Sequence, residues 1–333
     1  MKALPIVAAV LGIGVMLALV GYFGAGAVVR SLLAVGGIGF AAICAIHIAL
    51  MVVMGFAWRV LMPSARSWVA IWGRLVRDSG SEVLPLSQVG GYVLGARALA
   101  LAGVTGTVAK ASTIVDITFE FVAQVGYTAL GLVLLLQLQP GSAVATPVII
   151  GLAVAVAAAV AFLIVQRHGF DYFERIARIL GRGWAERSAA GAAALHAALR
   201  EIYRRPMALW LCFGLHLACW IASATEAWLV LRLAGEPLPF SAVLVLESML
   251  YAVRTSAFVV PNAVGVQEGA YILLGATFGL SPEMALALSL LKRARDLAIG
   301  LPTIGVWQAL EGGRLWRRRN TAEINRVPVA SPD

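Results

Sequence analysis

Between Ala3 and Val29 the chain runs for 27 residues without a charged side chain. Such a run exceeds the apolar core of a signal peptide and the roughly 20 residues that a helix needs to cross a bilayer. It is therefore expected to stay as a first membrane helix, at about 4–26. Runs with few or no charges follow at about 35–57, 113–136, 144–165 and 207–232, and a last long helix at about 283–310 carries the Lys292–Asp296 cluster. Hydrophobic residues make up 61% of the chain and charged residues 13%, a balance that excludes an ordinary soluble domain. The predicted fold class is an all-α polytopic integral membrane protein with about six full transmembrane helices.

The net charge of +9 gives the orientation. Basic residues gather between the apolar runs: Arg59, Arg66, Arg74 and Arg77 in one apparent loop, eight arginines in the loop 166–206, and Arg314 and Arg317 to Arg319 in the tail. This is the positive-inside pattern of a multi-pass membrane protein rather than a nucleic-acid footprint, and it predicts both termini in the cytoplasm. Within 166–206, YFERIARIL and AALHAALREIY have helical spacing and mixed charge, as expected of amphipathic helices on the cytoplasmic membrane surface. The reading is a single transmembrane domain over 1–313 and a basic tail over 314–333.

Two segments break the pattern of full spans. In 83–111, Arg97 divides the apolar sequence into arms too short to cross, and Pro85, Gly90, Gly91, Gly95, Gly103 and Gly106 add breaks. In 239–281, Arg254 lies in one arm, and Pro261, Asn262, Gly265 and Gly269 mark a structural break. Both segments are predicted to be re-entrant helical hairpins. The first would enter from the cytoplasm and the second from outside, which makes an inverted repeat. LPLS at 84–87 recurs as LPFS at 238–241, and Arg97 and Arg254 follow those leucines by 13 and 16 residues.

A charge in hydrocarbon costs a few kcal/mol or more, so it is kept where it faces a polar interior, a partner or a substrate. The candidate substrate-binding residues are Arg97, Lys110, Arg254, Gln267, Glu268, Lys292, Arg293 and Arg295. Arginine's planar fork suits phosphate oxygens, and lysine acts as a point charge. Asp116, Glu120, Glu247 and Asp296 are candidates for charge pairing or proton coupling, Asp116 and Glu120 sharing a face at i and i+4. The basic groups are expected to outnumber the acids. The competing reading is a set of ion pairs that staple the two hairpins.

Cys212, His216 and Cys219 fall at i, i+4 and i+7, a face able to hold a soft metal. The expectation is packing instead, with His216 hydrogen-bonded to a neighbouring helix and no metal or cofactor bound. With Cys44 also in an apolar run, no disulfide framework is indicated. No Walker A sequence occurs, which excludes ATP-driven transport by this chain alone.

VVPNAVGVQEGAY at 259–271 and SLLKRARDLAIGLPTIGVWQALEG at 289–312 resemble the lysylphosphatidylglycerol-synthase transmembrane, or flippase-like, family. They resemble most its hopanoid-biosynthesis-associated branch. The matching positions are Pro261, Gly265, Gln267, Glu268, Gly269, Lys292, Arg293, Arg295 and Asp296; GARALALAGVTGTVAK at 95–110 matches less distinctly. The resemblance implies a membrane region that moves a phospholipid between leaflets. The residues after Glu311 are too few for the soluble synthase domain of two-domain members, so only the translocating part is expected.

Two alternatives stand beside a lipid flippase. One is a membrane-embedded lipid-modifying transferase using Glu268 with Lys292; the other is a non-transporting scaffold for lipid-biosynthetic enzymes. The chain is expected not to be an enzyme, since no catalytic motif accompanies those residues. The expected partners are membrane lipids, anionic phospholipid or hopanoid-related, with no nucleic acid. Its glycine-rich spans permit helix-to-helix dimerisation.

Overall fold

The computed structural model describes residues 14, 17–22, 25–84, 87–143, 145–180, 182–257 and 260–324. Most of the expected first span, about 4–26, lies outside them, as do Pro85 and Val259. The chain forms α1 (Ala25–Leu61), α2 (Ser67–Val83), α3 (Ser87–Leu101), α4 (Gly106–Leu138), α5 (Ala145–Leu180) and α6 (Arg182–Tyr203). These are followed by α7 (Pro206–Leu233), α8 (Phe240–Ser256), a 3-10 turn (Pro261–Ala263), α9 (Val266–Ala276) and α10 (Pro282–Ile324). No strand occurs among the described residues.

Four stretches are long and apolar enough to cross a membrane: Leu33–Leu61, Gly106–Leu138, Ala145–Gln166 and Pro206–Leu233. They coincide with the expected spans at 35–57, 113–136, 144–165 and 207–232. The stretch in α5 is only 6% buried within the protein. Its Ile150, Val154 and Val165 side chains point outward, giving the apolar exterior that hydrocarbon requires of a spanning helix. The chain is thus an all-α, multi-pass membrane protein.

The first hairpin lies one helix earlier than its sequence suggests. α2 and α3 pack on each other more extensively than any other helix pair, so the hairpin covers 67–101 rather than 83–111. The stretch expected to form its second arm includes the start of α4, which runs unbroken from Gly106. Arg74 and Arg77, expected in a cytoplasmic loop, lie on α2 with 3% and 2% of their surface exposed. The cause is a stripe of small and apolar residues, Val69, Ala70, Gly73, Val76 and Gly80, that buries one face of an otherwise polar helix.

Gly91 makes the close approach of α3 to α2 feasible. A Cβ there would strike the Ser81 hydroxyl and the Arg77 carbonyl oxygen. Gly91→Ala is therefore expected to cost about 1–3 kcal/mol through overpacking, read as a lower unfolding midpoint in detergent.

Two short helices, α8 and α9, lie within 239–281. α8 and α9 are joined by an elbow in which Asn262, Ala263 and Gly265 all adopt positive φ, at 50°, 46° and 81°. Gly269 is not part of the break: it sits within α9, its amide bonded to the Gly265 carbonyl at 3.1 Å.

α1 and α7 pack antiparallel, which sorts the interior into layers. One apolar cluster joins Val35 and Ile43 of α1 to Val230 and Leu231 of α7, together with Leu246, Tyr271 and Leu286. Another joins Trp58 and Leu61 of α1 to Leu209 and Cys212 of α7, together with Val69, Leu99 and Val115. His47 on α1 and His216 and Glu226 on α7 fall between these clusters. The polar layer therefore lies partway along the long helices, enclosed by apolar sequence at both ends.

Each hairpin rests against a long helix from the other end of the chain. α8 packs on α4, and α2 packs on α10. α4 and α10 also make the longer contacts to α7 and α1, respectively. The bundle is closed by exchange rather than by two separate halves.

Candidate functional site

The polar layer surrounds a cavity of about 270 Å³ walled by α1, α2, α3, α4, α5, α7, α8 and α10. On the α2 side, Arg74 and Arg77 occupy successive turns and face Asp116 and Glu120 on α4. Arg74 bonds Asp78 at 2.6 Å and takes Glu120 in a fork, at 2.6 and 3.1 Å. Arg77 bonds Asp116 at 2.6 Å and also reaches Glu120. Its guanidinium lies over the Tyr92 ring, 4.8 Å from the centroid. Two bases at i and i+3 thus meet two acids at i and i+4, a spacing that lets every charge find a partner.

On the opposite side, Arg295 bonds Glu226 of α7 and its own neighbour Asp296, the latter at 2.6 Å. His47 places Nδ1 3.0 Å from the other Glu226 oxygen. Arg254 of α8 reaches Glu82 at the end of α2, at 3.1 and 3.2 Å, and the Asn262 side chain at 3.0 Å. Asn262 in turn donates to the Glu82 carbonyl at 2.9 Å. This group ties the two hairpins together at the cavity wall. Trp220 and Tyr251 pack edge to face, 4.6 Å between centroids, on the same wall.

Outside this wall stand two further buried pairs. Lys292 bonds Glu247, which also accepts from the Tyr271 hydroxyl at 2.6 Å. Arg293 takes Glu268 in a fork, at 2.5 and 3.1 Å, and donates to the Asn262 and Ala263 carbonyls at 3.3 Å each. Glu268 accepts from the Gly265 amide at 2.7 Å and the Ser289 hydroxyl at 2.9 Å, capping the start of α9. Gln267 donates to Ser289 at 2.8 Å.

Of the residues singled out from sequence, Arg254, Arg295, Glu120 and Asp296 line the cavity, and Asp116 lies directly behind Arg77. Gln267, Glu268, Lys292, Arg293 and Glu247 form the buried pairs beside it. Pro261, Asn262 and Gly265 build the elbow. Arg97 stands apart, half exposed and paired with Glu311 at 2.5 Å. Lys110 is exposed at the start of α4. Neither is brought to the cavity, because each lies on the outer face of its helix.

The expected excess of cations is also absent. Four arginines line the cavity against five carboxylates: Asp78, Glu82, Glu120, Glu226 and Asp296. Arg74, Arg77, Asp78 and Glu82 escaped sequence reasoning as site residues, whereas Ser223 and Glu226, which continue the Cys212–His216–Cys219 face, line the cavity as that face suggests. The matched spacing of Arg74 and Arg77 with Asp116 and Glu120 is the signal that would have found the first two.

Asp116, Cys212 and His216 bring ligand atoms within 4.8 Å of one another. Asp116 already holds Arg77, and a guanidinium beside it opposes a cation. His216 bonds Asp116 at 3.0 Å, the expected link to a neighbouring helix. Cys219 turns instead toward the Leu50 carbonyl, 3.8 Å away, so the two thiols do not converge.

The two ends of the chain place their charges alike. Arg74 and Glu247 each stand seven residues after the first residue of a hairpin helix. Asp116 and Lys292 each stand ten residues after the first residue of the following long helix. The base lies on the hairpin in one case and on the long helix in the other, so equivalent positions hold ion pairs of reversed polarity.

An apolar-surfaced helical bundle that gathers its charges around an internal cavity defines a class, the multi-pass membrane proteins with a polar site inside the spanning region. Within that class, the chain belongs to the lysylphosphatidylglycerol synthase TM region family, which matches residues 6–302. That membership places it among membrane proteins of lipid handling. No curated protein and no solved structure matches the chain.

Proposed function

We propose that this protein moves a polar lipid, a phospholipid or a hopanoid-related lipid, between leaflets. The headgroup passes through the charged cavity while the acyl chains stay in the bilayer. The observation that carries this reading is the cavity itself. Nine ionisable side chains, four arginines and five carboxyl groups, line a space of about 270 Å³ partway along helices whose outer surface is apolar. So many buried charges are costly to fold around unless a polar substrate uses them.

The hairpins support the same reading. α2, α3, α8 and α9 have 17, 15, 17 and 11 residues, each short of a full crossing, as re-entrant elements are. Their reciprocal packing on α10 and α4, with reversed ion pairs at equivalent places, is what an inverted repeat would give. In this reading the protein sits in a bacterial inner membrane with both termini cytoplasmic, in the hopanoid-associated branch of its family. It performs no covalent chemistry on the lipid.

The test is transbilayer movement of acyl-labelled phospholipids in proteoliposomes, comparing wild type with Ile117→Trp. Ile117 lines the cavity and takes no part in its ion pairs, so the larger ring fills space and leaves the charges intact. Wild type is expected to move lipid, and the variant to slow it at least about tenfold (about 1.4 kcal/mol in barrier) with little change in unfolding midpoint. Wild type that matches protein-free vesicles for every lipid, including hopanoid-containing membranes, would overturn the proposal in favour of a scaffold. A chemically altered lipid would favour a transferase.

A further inference from the structure

The charges of the polar layer fall into groups that can be counted separately. On the α2–α4 side, Arg74 and Arg77 stand against Asp78, Asp116 and Glu120. On the α7–α10 side, Arg295 stands against Glu226 and Asp296. Arg254 and Glu82 balance each other. The first two groups are each one positive charge short, and each contains one imidazole bonded to a carboxylate, His216 on Asp116 and His47 on Glu226. A proton on the imidazole is the charge each group lacks.

The two histidines differ in access. His216 is fully buried, and its Nδ1 has no partner. His47 keeps 20% of its side chain exposed and lines the cavity. A carboxylate only accepts, so the nitrogen facing Glu226 carries the hydrogen and Nε2 keeps a basic lone pair. Imidazole is the side chain whose ordinary titration lies nearest neutral pH.

The charged groups around His47 are Glu226 from α7, Arg295 and Asp296 from α10, and Asp78 and Glu82 from α2. Four of these five are acids. A positive charge arriving in the cavity, whether a proton or an ammonium, would compensate the same deficit. Two such charges together would leave the α7–α10 group with one too many.

We propose that His47 is the proton-loading group of this cavity, and that a proton on it and the positively charged part of a lipid headgroup occupy the cavity in alternation. The inference rests on the translocation reading above and adds its driving force. A proton passes from cavity water to His47 Nε2, the imidazolium is held by Glu226, and the cationic headgroup is released. Return of the proton to water on the other side readmits a headgroup. One proton crosses for each headgroup, and a zwitterionic headgroup carries no net charge, so with the membrane potential clamped at zero a gradient of about one pH unit drives an approximately tenfold lipid asymmetry.

The experiment uses proteoliposomes with a trapped pH dye and phosphatidylethanolamine labelled on its acyl chain, leaving the amine free. With wild type, an imposed pH gradient is expected to bias lipid movement toward that asymmetry, and the dye is expected to report proton flux during the movement. His47→Gln keeps a donor for Glu226 but cannot load a proton; neither its lipid movement nor the trapped dye is expected to respond to the gradient. Wild type that moves lipid with no proton flux and no response to the gradient overturns the inference, whatever the variant does. A His47→Gln protein that still follows the gradient also overturns it. Wild type that moves no lipid at all overturns the translocation reading itself.

Discussion

Lys292→Met is expected to lower stability by about 3–5 kcal/mol, and adding Glu247→Gln to restore most of the loss. Lys292 is 3% exposed and Glu247 is fully buried, so removing the base leaves a carboxylate with no water to solvate it. The Tyr271 hydroxyl supplies one hydrogen bond to Glu247, too little to replace a cation. In the double variant no ion remains, and the glutamine carbonyl can still accept from Tyr271. The measurement is the unfolding midpoint of wild type, both singles and the double in one detergent. Additive losses in the double would mean that the two residues do not act as a pair.

Arg293→Ala is expected to have an effect of similar size, about 3–5 kcal/mol, through a different route. Its guanidinium neutralises buried Glu268 and also accepts the burden of two elbow carbonyls, those of Asn262 and Ala263. Both residues are held at positive φ, which costs a side-chain-bearing residue about 1–2 kcal/mol. Without Arg293 only the Asn262 side chain, held by Arg254 and the Glu82 carbonyl, still ties the elbow to its neighbours, so the elbow should loosen. Hydrogen exchange at residues 260–265 is expected to rise in Arg293→Ala ahead of exchange in α8. Ala263→Gly in the wild-type background tests the strain directly, with an expected gain of about 0.5–1 kcal/mol. A loss there would mean that Ala263 is not strained.

The long apolar helices were legible because hydropathy over about 20 residues is a strong signal, and α4, α5 and α7 fall where the runs predict. The elbow was legible for a separate reason, since Pro261 and Gly265 interrupt a helix wherever they occur. The first hairpin was not. α2 carries Arg74, Arg77 and Asp78 among only a few large apolar residues, so its mean hydropathy resembles that of a loop. What buries it is its packing on α3, α10 and α1, with the acid pair on α4 for its arginines, and partners between distant segments are invisible to any local window. Arg97 misled for the opposite reason. An isolated charge in an apolar run suggests an interior role, yet the helix face it occupies looks outward to Glu311. Residue type and depth were readable from sequence; direction around the helix axis was not. The cavity's charge balance depended on direction, so it came only with the structure.

The pattern of pairing carries a consequence for how the chain enters the membrane. Arg74 and Arg77 meet Asp78, Asp116 and Glu120, all within one stretch of sequence. Lys292, Arg293 and Arg295 meet Glu247, Glu268 and Glu226 within another. A chain emerging from the ribosome N-terminus first therefore delivers acids and bases together, and the first stretch can enter hydrocarbon with its bases already paired before the second is made. The charge pairs that join the stretches are His47 to Glu226, His216 to Asp116, Arg254 to Glu82 and Arg97 to Glu311. The first two wait for synthesis to reach α7, the third for α8 and the last for the end of α10, and the first three line or back the cavity. Its wall closes only once both stretches have been made.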